Sequence, residues 1–197
     1  MKKRNVEIKR KFLHLILGII LVTLLMFGFI GVLHVFILTI IVIIIPLVNK
    51  RYKVPGMDWF LKNFERDENL KIFPGKGFIF YLIGSLLVLL LFPKEIALPA
   101  ILVLAFADSI GHLFGLRFGR IRHPFVSTKF LEGWIVGLAS GFIGALIFVP
   151  WHEALAASFF AMLVEGIEIK IGTDEVDDNL IIPLVAATAI SAVRFLF

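Results

Sequence analysis

The chain contains no cysteine, so it can form neither a disulfide framework nor a thiolate metal site. It also lacks a small-residue cleavage pattern after its first apolar run, which begins at Phe12 and is too long for the core of a signal peptide. The apolar runs show none of the alternation with polar residues that marks the strands of a membrane barrel. These absences predict a retained helical span near the N-terminus, and they select no compartment.

Apolar residues are abundant instead. They make up 59% of the 197 residues, and the mean hydropathy is +0.98. Soluble domains are about 45–50% apolar, and here the excess lies in long runs. Spans of roughly 20 residues each would use most of the chain, so we predict an all-α fold with about seven spans in a single membrane domain, residues 1–197. The predicted spans are Phe12–Ile30, Val32–Val48, Gly77–Phe92, Ile96–Phe118, Gly133–Val149, Ala154–Ile169 and Leu180–Phe197.

The basic residues predict the orientation of this bundle. Long connections (1–11, 49–76, 118–132 and 170–179) alternate with very short ones on the other side. Of the 20 Lys and Arg residues, all except Lys94 and Arg194 lie on the side of the long connections. Because basic residues concentrate in cytoplasmic loops, we expect a cytoplasmic N-terminus. The functional site would then face the cytoplasm, in the cell membrane or an ER-type endomembrane.

One long connection contains an amphipathic pattern. Met57, Phe60, Leu61 and Phe64 follow the i, i+3, i+4, i+7 spacing of a helix face, with polar residues opposite. This pattern predicts a helix that lies on the membrane surface. It favours simple anchoring, and a gate for lipid entry is the alternative.

Ionisable residues inside the predicted spans are the candidates for function. They are His14, Asp108, His112, Glu165 and Glu168. A charge near the bilayer centre costs about 2.5–3.5 kcal/mol on insertion scales, so several such residues suggest a use for them. All lie toward the predicted cytoplasmic ends of their spans. For Glu168, beside Lys170, structural pairing is an equal alternative.

The segment from Ala107 to Arg120 carries the densest signal. Asp108, His112, Gly115 and Gly119 share a helix face, and Gly111 borders it. Glycine lets a backbone or a ligand phosphate approach closely, although such strips also pack helices together. The arginines that follow favour a phosphate site, because a guanidinium donates two parallel hydrogen bonds. They are Arg117, Arg120 and Arg122.

Three further segments supply charges on the same side. Lys129 and Glu132 stand one turn apart where the fifth span begins, either as a surface ion pair or as phosphate ligand and orienting carboxylate. Asp178 and Asn179 lie at the mouth of the last span, where their oxygens could complete a Mg²⁺ site. Arg10, Lys11 and His14 flank the first span, where a basic flank also satisfies topology alone.

Taken together, these motifs resemble the CTP-dependent lipid kinases of the dolichol kinase, phytol kinase and CTP-dependent diacylglycerol kinase type. The family pattern R-K-x-x-H matches Arg10, Lys11 and His14. The pattern D-x6-G-x3-G followed by K-x-x-E-G matches Asp108, Gly115, Gly119, Lys129, Glu132 and Gly133. A late acidic residue and D-N-x-x-x-P match Glu165, Asp178, Asn179 and Pro183.

The resemblance implies Mg²⁺-dependent transfer of the γ-phosphate of CTP to the hydroxyl of a membrane lipid alcohol. That alcohol would be a polyprenol or dolichol, a phytol-like isoprenoid or diacylglycerol. We expect Asp108, Glu165 and Asp178 to bind metal or act as base. Phosphate would be bound by Lys129, Arg120, Arg10, Lys11 and His14. Glu132 and Asn179 would orient these groups, and Gly111, Gly115 and Gly119 would admit the nucleotide.

Two alternatives remain open at this stage. The CDP-diacylglycerol synthases share the middle motifs, but their S-P-x-K-T-x-E-G and D-R signatures are incomplete here, since the segment before Lys129 lacks proline and Asn179 follows Asp178. An ion-coupled transporter could also hold Asp108, His112 and Glu165, although the polar residues cluster on one side of the membrane. The small-residue face at Gly137 and Gly141 permits a homodimer.

Overall fold

The structure is a computed structural model that describes residues 2–126, 128–167, 170–171 and 174–196. The helices within these ranges are α1 Lys2–Met26, α2 Val32–Tyr52, α3 Met57–Phe64, α4 Asp67–Ile72, α5 Lys76–Leu91, α6 Lys94–Val103, α7 Ser109–Phe118, α8 Leu131–Ala145, α9 Trp151–Glu165 and α10 Asp178–Leu196. A π-helical turn, Leu104–Asp108, joins α6 to α7. Two short antiparallel strands, β1 Lys170–Ile171 and β2 Asp174–Glu175, are the exception to an otherwise helical fold, so the predicted all-α class is confirmed.

Each predicted span corresponds to a helix, but their lengths differ. Among the described residues, three helical segments are long and apolar enough to cross a membrane: Val32–Tyr52, Lys94–Phe118 and Asp178–Leu196. Helices α5 and α8 are apolar but shorter. The count of seven spans and the cytoplasmic N-terminus therefore stay predictions.

The core is built around α6, whose residues from Ile96 to Val103 are all buried. Helices α1, α5, α8, α9 and α10 surround it. In contrast, α2 packs mainly on α5 and buries only Val35, Thr39, Pro46 and Asn49. Its exposed surface includes Leu33, Phe36, Ile40 and Ile44. An exposed apolar surface of this extent suits contact with lipid.

The N-terminal segment differs from the prediction. Residues 1–11 were expected to be a connection, but α1 already begins at Lys2. The reason is that its charged side chains find partners within the protein: Glu7 pairs with Arg10, and Lys11 pairs with Asp108. The connection 49–76 is also more helical than expected. It contains the predicted amphipathic helix as α3 and adds α4 before α5.

Glycines allow α7 and α8 to approach closely. A Cβ at Gly111 would lie 2.8 Å from the carbonyl oxygen of Gly133 and 2.8 Å from the Cα of Gly137. Both are backbone atoms, which cannot move aside as a flexible side chain can. The structure thus places this glycine strip at a contact between two helices, in agreement with the alternative that it serves helix packing.

We predict that Gly111→Ala destabilises the protein by about 1–3 kcal/mol, because the added methyl overpacks the contact between these helices. Gly31→Ala is the matched control, since its Cβ would meet nothing within 4 Å and its backbone is extended. Thermal unfolding in detergent measures both variants. An unchanged unfolding temperature for Gly111→Ala would contradict the close approach.

Candidate active site

A polar cavity of about 460 Å³ lies where α1, α4, α7, the end of α9 and the start of α10 meet. It brings together seven of the predicted site residues: Arg10, Lys11, Asp108, Lys129, Glu165, Asp178 and Asn179. These residues come from segments distant in sequence, and their spacing could not establish that they converge. The structure therefore places the charged part of the predicted site in one cavity.

Lys11 and Asp108 form the deepest ion pair of the cavity. The Lys11 Nζ lies 2.5 and 2.6 Å from the two carboxylate oxygens of Asp108. Both residues are buried. Asp108 ends the π-helical turn, and such turns occur frequently at functional sites. A buried pair of this kind is costly to break, since removing one partner leaves the other charge uncompensated.

Lys129 forms a second cationic centre. Its Nζ lies 2.8 Å from a carboxylate oxygen of Glu165 and 2.9 Å from one of Asp178, and it also donates to the backbone carbonyl of Glu165 at 2.7 Å. Burial lowers the pKa of Lys129, but Glu165 and Asp178 outweigh that effect and raise its pKa above the usual range. Lys129 is therefore a fixed cation and not a base.

Several residues of the cavity lining were not among the predicted site residues, and Glu7 and Arg66 are two of them. His112 also lines the cavity; it was an ionisable candidate of the fourth predicted span without an assigned role. Glu7 accepts hydrogen bonds from Arg10 at 2.9 Å and from Arg66 at 2.6 Å. Burial raises the pKa of Glu7, but Arg10 and Arg66 outweigh it and bring the pKa to about 2. The i, i+3 spacing of Glu7 and Arg10 was a signal available in the sequence. For Arg66 the sequence offered no such signal, because its partner Glu7 is distant along the chain.

Asn179, the second residue of α10, is held by Asp177, which precedes this helix. Its backbone N–H and its side-chain Nδ2 both donate to the same Oδ1 of Asp177, at 3.1 and 2.7 Å. The side-chain oxygen of Asn179 is buried without a hydrogen-bond partner within the described part of the chain. Burial raises the pKa of Asp177. The side-chain amide of Asn179 is thus fixed in orientation, and its Oδ1 has no hydrogen-bond donor among the described residues.

His14 lies outside the cavity. Its ring is fully buried between Phe78 and Tyr81, with both ring centroids 5.0 Å away. Neither ring nitrogen has a hydrogen-bond partner among the described residues. The structure therefore places His14 one turn beyond Arg10, beneath the charged residues, and out of direct reach of a ligand in the cavity.

Glu132 supports the backbone of the loop before α8. Its carboxylate accepts hydrogen bonds from the backbone N–H groups of Arg120, at 3.0 Å, and of Ile121, at 3.1 Å. Hydrogen bonding to its own backbone N–H, together with these two hydrogen bonds, lowers the pKa of Glu132. The expected pairing with Lys129 is not what the structure shows, because the anionic partners of Lys129 are Glu165 and Asp178. Arg120 and Gly119 lie in this loop, outside the cavity lining.

Gly111 and Gly115 border a smaller hollow beneath Lys129. They are packed against Gly133 on α8. This hollow has a volume of about 20 Å³, too small to admit a nucleotide without movement. The structure therefore gives these glycines a packing position next to the charged cavity.

The cavity fits a metal ion that arrives with a substrate. Within the described ranges, no group of three His, Asp or Glu side chains is placed to hold an ion. Asp108, Glu165 and Asp178 nevertheless supply hard oxygen donors to one cavity. Mg²⁺ commonly uses one or two carboxylates together with substrate phosphates and water. The donor set thus suits a nucleotide-borne Mg²⁺ better than a preformed protein cage.

Parts of the predicted motifs lie outside the described residues. Glu168 is one of them, and so are Ser127, which opens the Lys129 segment, and the C-terminal residue Phe197.

The fold and this cavity define a helical, lipid-exposed protein with a cluster of charges at one end. Sequence comparison finds three relatives. The uncharacterized protein MJ1137 of Methanocaldococcus jannaschii is 28% identical over 188 residues, 94% of this chain and 93% of the relative. CTP-dependent diacylglycerol kinase 1 of Schizosaccharomyces pombe is 28% identical over 128 residues, 56% of this chain and 57% of that protein. A probable chloroplastic phytol kinase of Triticum aestivum is 30% identical over 126 residues, 55% of this chain and 41% of that protein.

These relatives confirm the resemblance that the motifs predicted: the chain is related to CTP-dependent lipid kinases. The matched region spans about half the length of the two named kinases. No protein-family model and no solved structure matches the chain.

Proposed function

We propose that this protein is a membrane lipid kinase that transfers the γ-phosphate of CTP to the hydroxyl of a lipid alcohol. The acceptor class is that of polyprenols, phytol-like isoprenoids and diacylglycerol. The observation that carries the proposal is the convergence of Lys11 with Asp108 and of Lys129 with Glu165 and Asp178 in one cavity. Kinship with a diacylglycerol kinase and a phytol kinase supports the lipid acceptor and the kinase class.

The cations of the cavity suit a triphosphate. Phosphoryl transfer needs positioning and compensation of the charge that spreads over the phosphate oxygens. Lys129, Lys11 and Arg10 can donate to those oxygens when their carboxylate partners turn toward other groups. Lys11 and Lys129, which both line the cavity, would hold the chain of phosphates in line with the acceptor hydroxyl.

The carboxylates suit the metal that such a nucleotide carries. Asp108, Glu165 and Asp178 would hold Mg²⁺ together with the phosphates. When bound, Mg²⁺ supplies neutralisation of charge on the phosphate oxygens. Asn179 would donate to or accept from the nucleotide beside them, since its amide is fixed by Asp177.

The test uses purified protein in detergent or lipid, Mg²⁺, γ-labelled CTP beside γ-labelled ATP, and a panel of lipid alcohols. We expect the label to appear in the lipid, more with CTP than with ATP. The preferred acceptor follows from the same panel. Label that appears only in pyrophosphate, and only when lipid phosphates are supplied, would replace this proposal with a CDP-diacylglycerol synthase-like cytidylyltransferase.

We further propose seven spans with the N-terminus in the cytoplasm, and the absence of cysteine makes this topology directly testable. Single cysteines at Lys53, in the connection before α3, and at Gly31, between α1 and α2, should lie on opposite sides of the membrane. We expect an impermeant maleimide to label Gly31→Cys from outside intact cells and Lys53→Cys only in inverted vesicles. Labelling of both positions from one side would contradict the proposed topology.

A further inference from the structure

The carboxylates that line the cavity are its potential proton acceptors, and they already have partners within the protein. Asp108 is paired with Lys11, and both Glu165 and Asp178 are paired with Lys129. Glu7 is paired with Arg10 and Arg66. The other carboxylates that line the cavity also have partners: Asp67, Glu68 and Asp177. Asp108, Glu165, Asp178 and Glu7 are the carboxylates paired with a cation, and such a carboxylate is a poor proton acceptor because the cation favours its ionised form.

His112 differs from these groups. It lines the cavity from α7, and about a fifth of its side chain is accessible. Its Nε2 faces the Glu7 carboxylate at 3.7 Å, too far for a hydrogen bond, and has no other partner within the described residues. Hydrogen bonds to a catalytic base are often long before the substrate binds. A nearby carboxylate is also the kind of group that fixes the tautomer and orientation of a catalytic imidazole.

From this geometry we infer that His112 is the base of the reaction and that Glu7 orients its ring. This inference rests on the proposed kinase function. The acceptor hydroxyl gives its proton to Nδ1 of His112, the ring nitrogen that does not face Glu7, while its oxygen forms a bond to the γ-phosphorus. The bond from that phosphorus to the β–γ bridging oxygen breaks, and its electron pair leaves with the nucleoside diphosphate. The proton on His112 then passes to solvent through the cavity.

Charges surround His112 from each element that packs near it. Glu7, Arg10 and Lys11 face it from α1, Asp108 lies one turn before it, and Lys129 and Glu165 border the hollow on its other side. The position of His112 four residues after Asp108 places the base one helical turn from the deepest ion pair.

The test compares His112→Ala and His112→Gln in the label-transfer assay, with kcat and the KM for the nucleotide measured separately. We expect kcat to fall by about 10²–10³-fold in both variants, as for loss of a general base. The nucleotide KM should change little, because the base acts only on the acceptor. Added imidazole should raise the rate of His112→Ala at least about tenfold and leave His112→Gln unchanged.

His123→Gln is the matched control, since that histidine is buried against Gly166 and does not line the cavity. It should keep its activity. Activity of His112→Gln close to that of the unmodified protein would overturn the inference. A loss of nucleotide binding together with activity in both His112 variants would also overturn it, because the role would then be structural. If the unmodified protein labels no lipid alcohol with any nucleotide, the proposed function itself fails, and the two failures are thus distinct.

Discussion

Replacing Asp108 by alanine is expected to abolish lipid phosphorylation and to destabilise the protein by about 3–5 kcal/mol. Activity is lost because a predicted ligand of the metal and phosphates is removed from the cavity. Stability is lost because the Lys11 ammonium, 2.5 Å from Asp108 and buried with it, keeps its charge without a partner. Label transfer and unfolding in detergent measure the two effects.

A double variant separates these effects. Lys11→Met with Asp108→Ala removes both charges, so much of the stability should return while activity stays absent. Glu153→Gln is the control, because it breaks an ion pair whose carboxylate is likewise buried, with Arg194 at 2.8 Å, at the opposite end of α9 and α10. It should lower stability and preserve turnover. Near-normal turnover in Asp108→Ala would refute the assignment of this residue.

Lys129→Ala is expected to lower turnover by about 10²–10³-fold or more, as does removal of one preorganised donor to a charged transition state. The loss should be larger than for a surface lysine, because Lys129 is held by three oxygens and largely shielded from water. The quantity to measure is kcat for label transfer together with nucleotide binding.

Lys94→Ala is the control for the loss of one lysine. Lys94 begins α6 at the other end of the bundle and is exposed, with a weak contact of 3.4 Å to the Met26 carbonyl. Its removal should leave turnover unchanged. A Lys129→Ala variant with turnover equal to that of Lys94→Ala would exclude Lys129 from the site.

The helical elements were largely predictable because the apolar runs are long and separated by glycine, proline or charges. The predicted span Ile96–Phe118 corresponds to the continuous helical segment Lys94–Phe118. The start of α1 was missed because the apolar run begins only at Phe12. The helix already begins at Lys2, and charged residues in its first turns are neutralised by partners distant in sequence. Hydropathy reports contact with lipid and cannot report such pairing.

The site was predictable in its residues and not in its contacts. Asp108 and Glu165 were identified because a charge inside a predicted span is costly and suggests a function. Lys129 was identified from its position one turn before Glu132, where the fifth predicted span begins. Glu132 was assigned to Lys129 from i, i+3 spacing, but Lys129 precedes α8 and its side chain turns toward α9 and α10. Spacing constrains neighbours only when both residues lie within one helix.

The π-helical turn before α7 has a consequence for how this helix is aligned. A π turn holds one residue more than the same length of α-helix, and each residue rotates a helix by about 100°. Winding the same residues as ordinary α-helix would therefore swing Asp108 and His112 by about a quarter turn, away from Lys11 and Glu7. The extra residue changes the rotation of α7 relative to α6. One continuous helical segment can therefore present apolar side chains to the core along α6 and charged side chains to the cavity along α7.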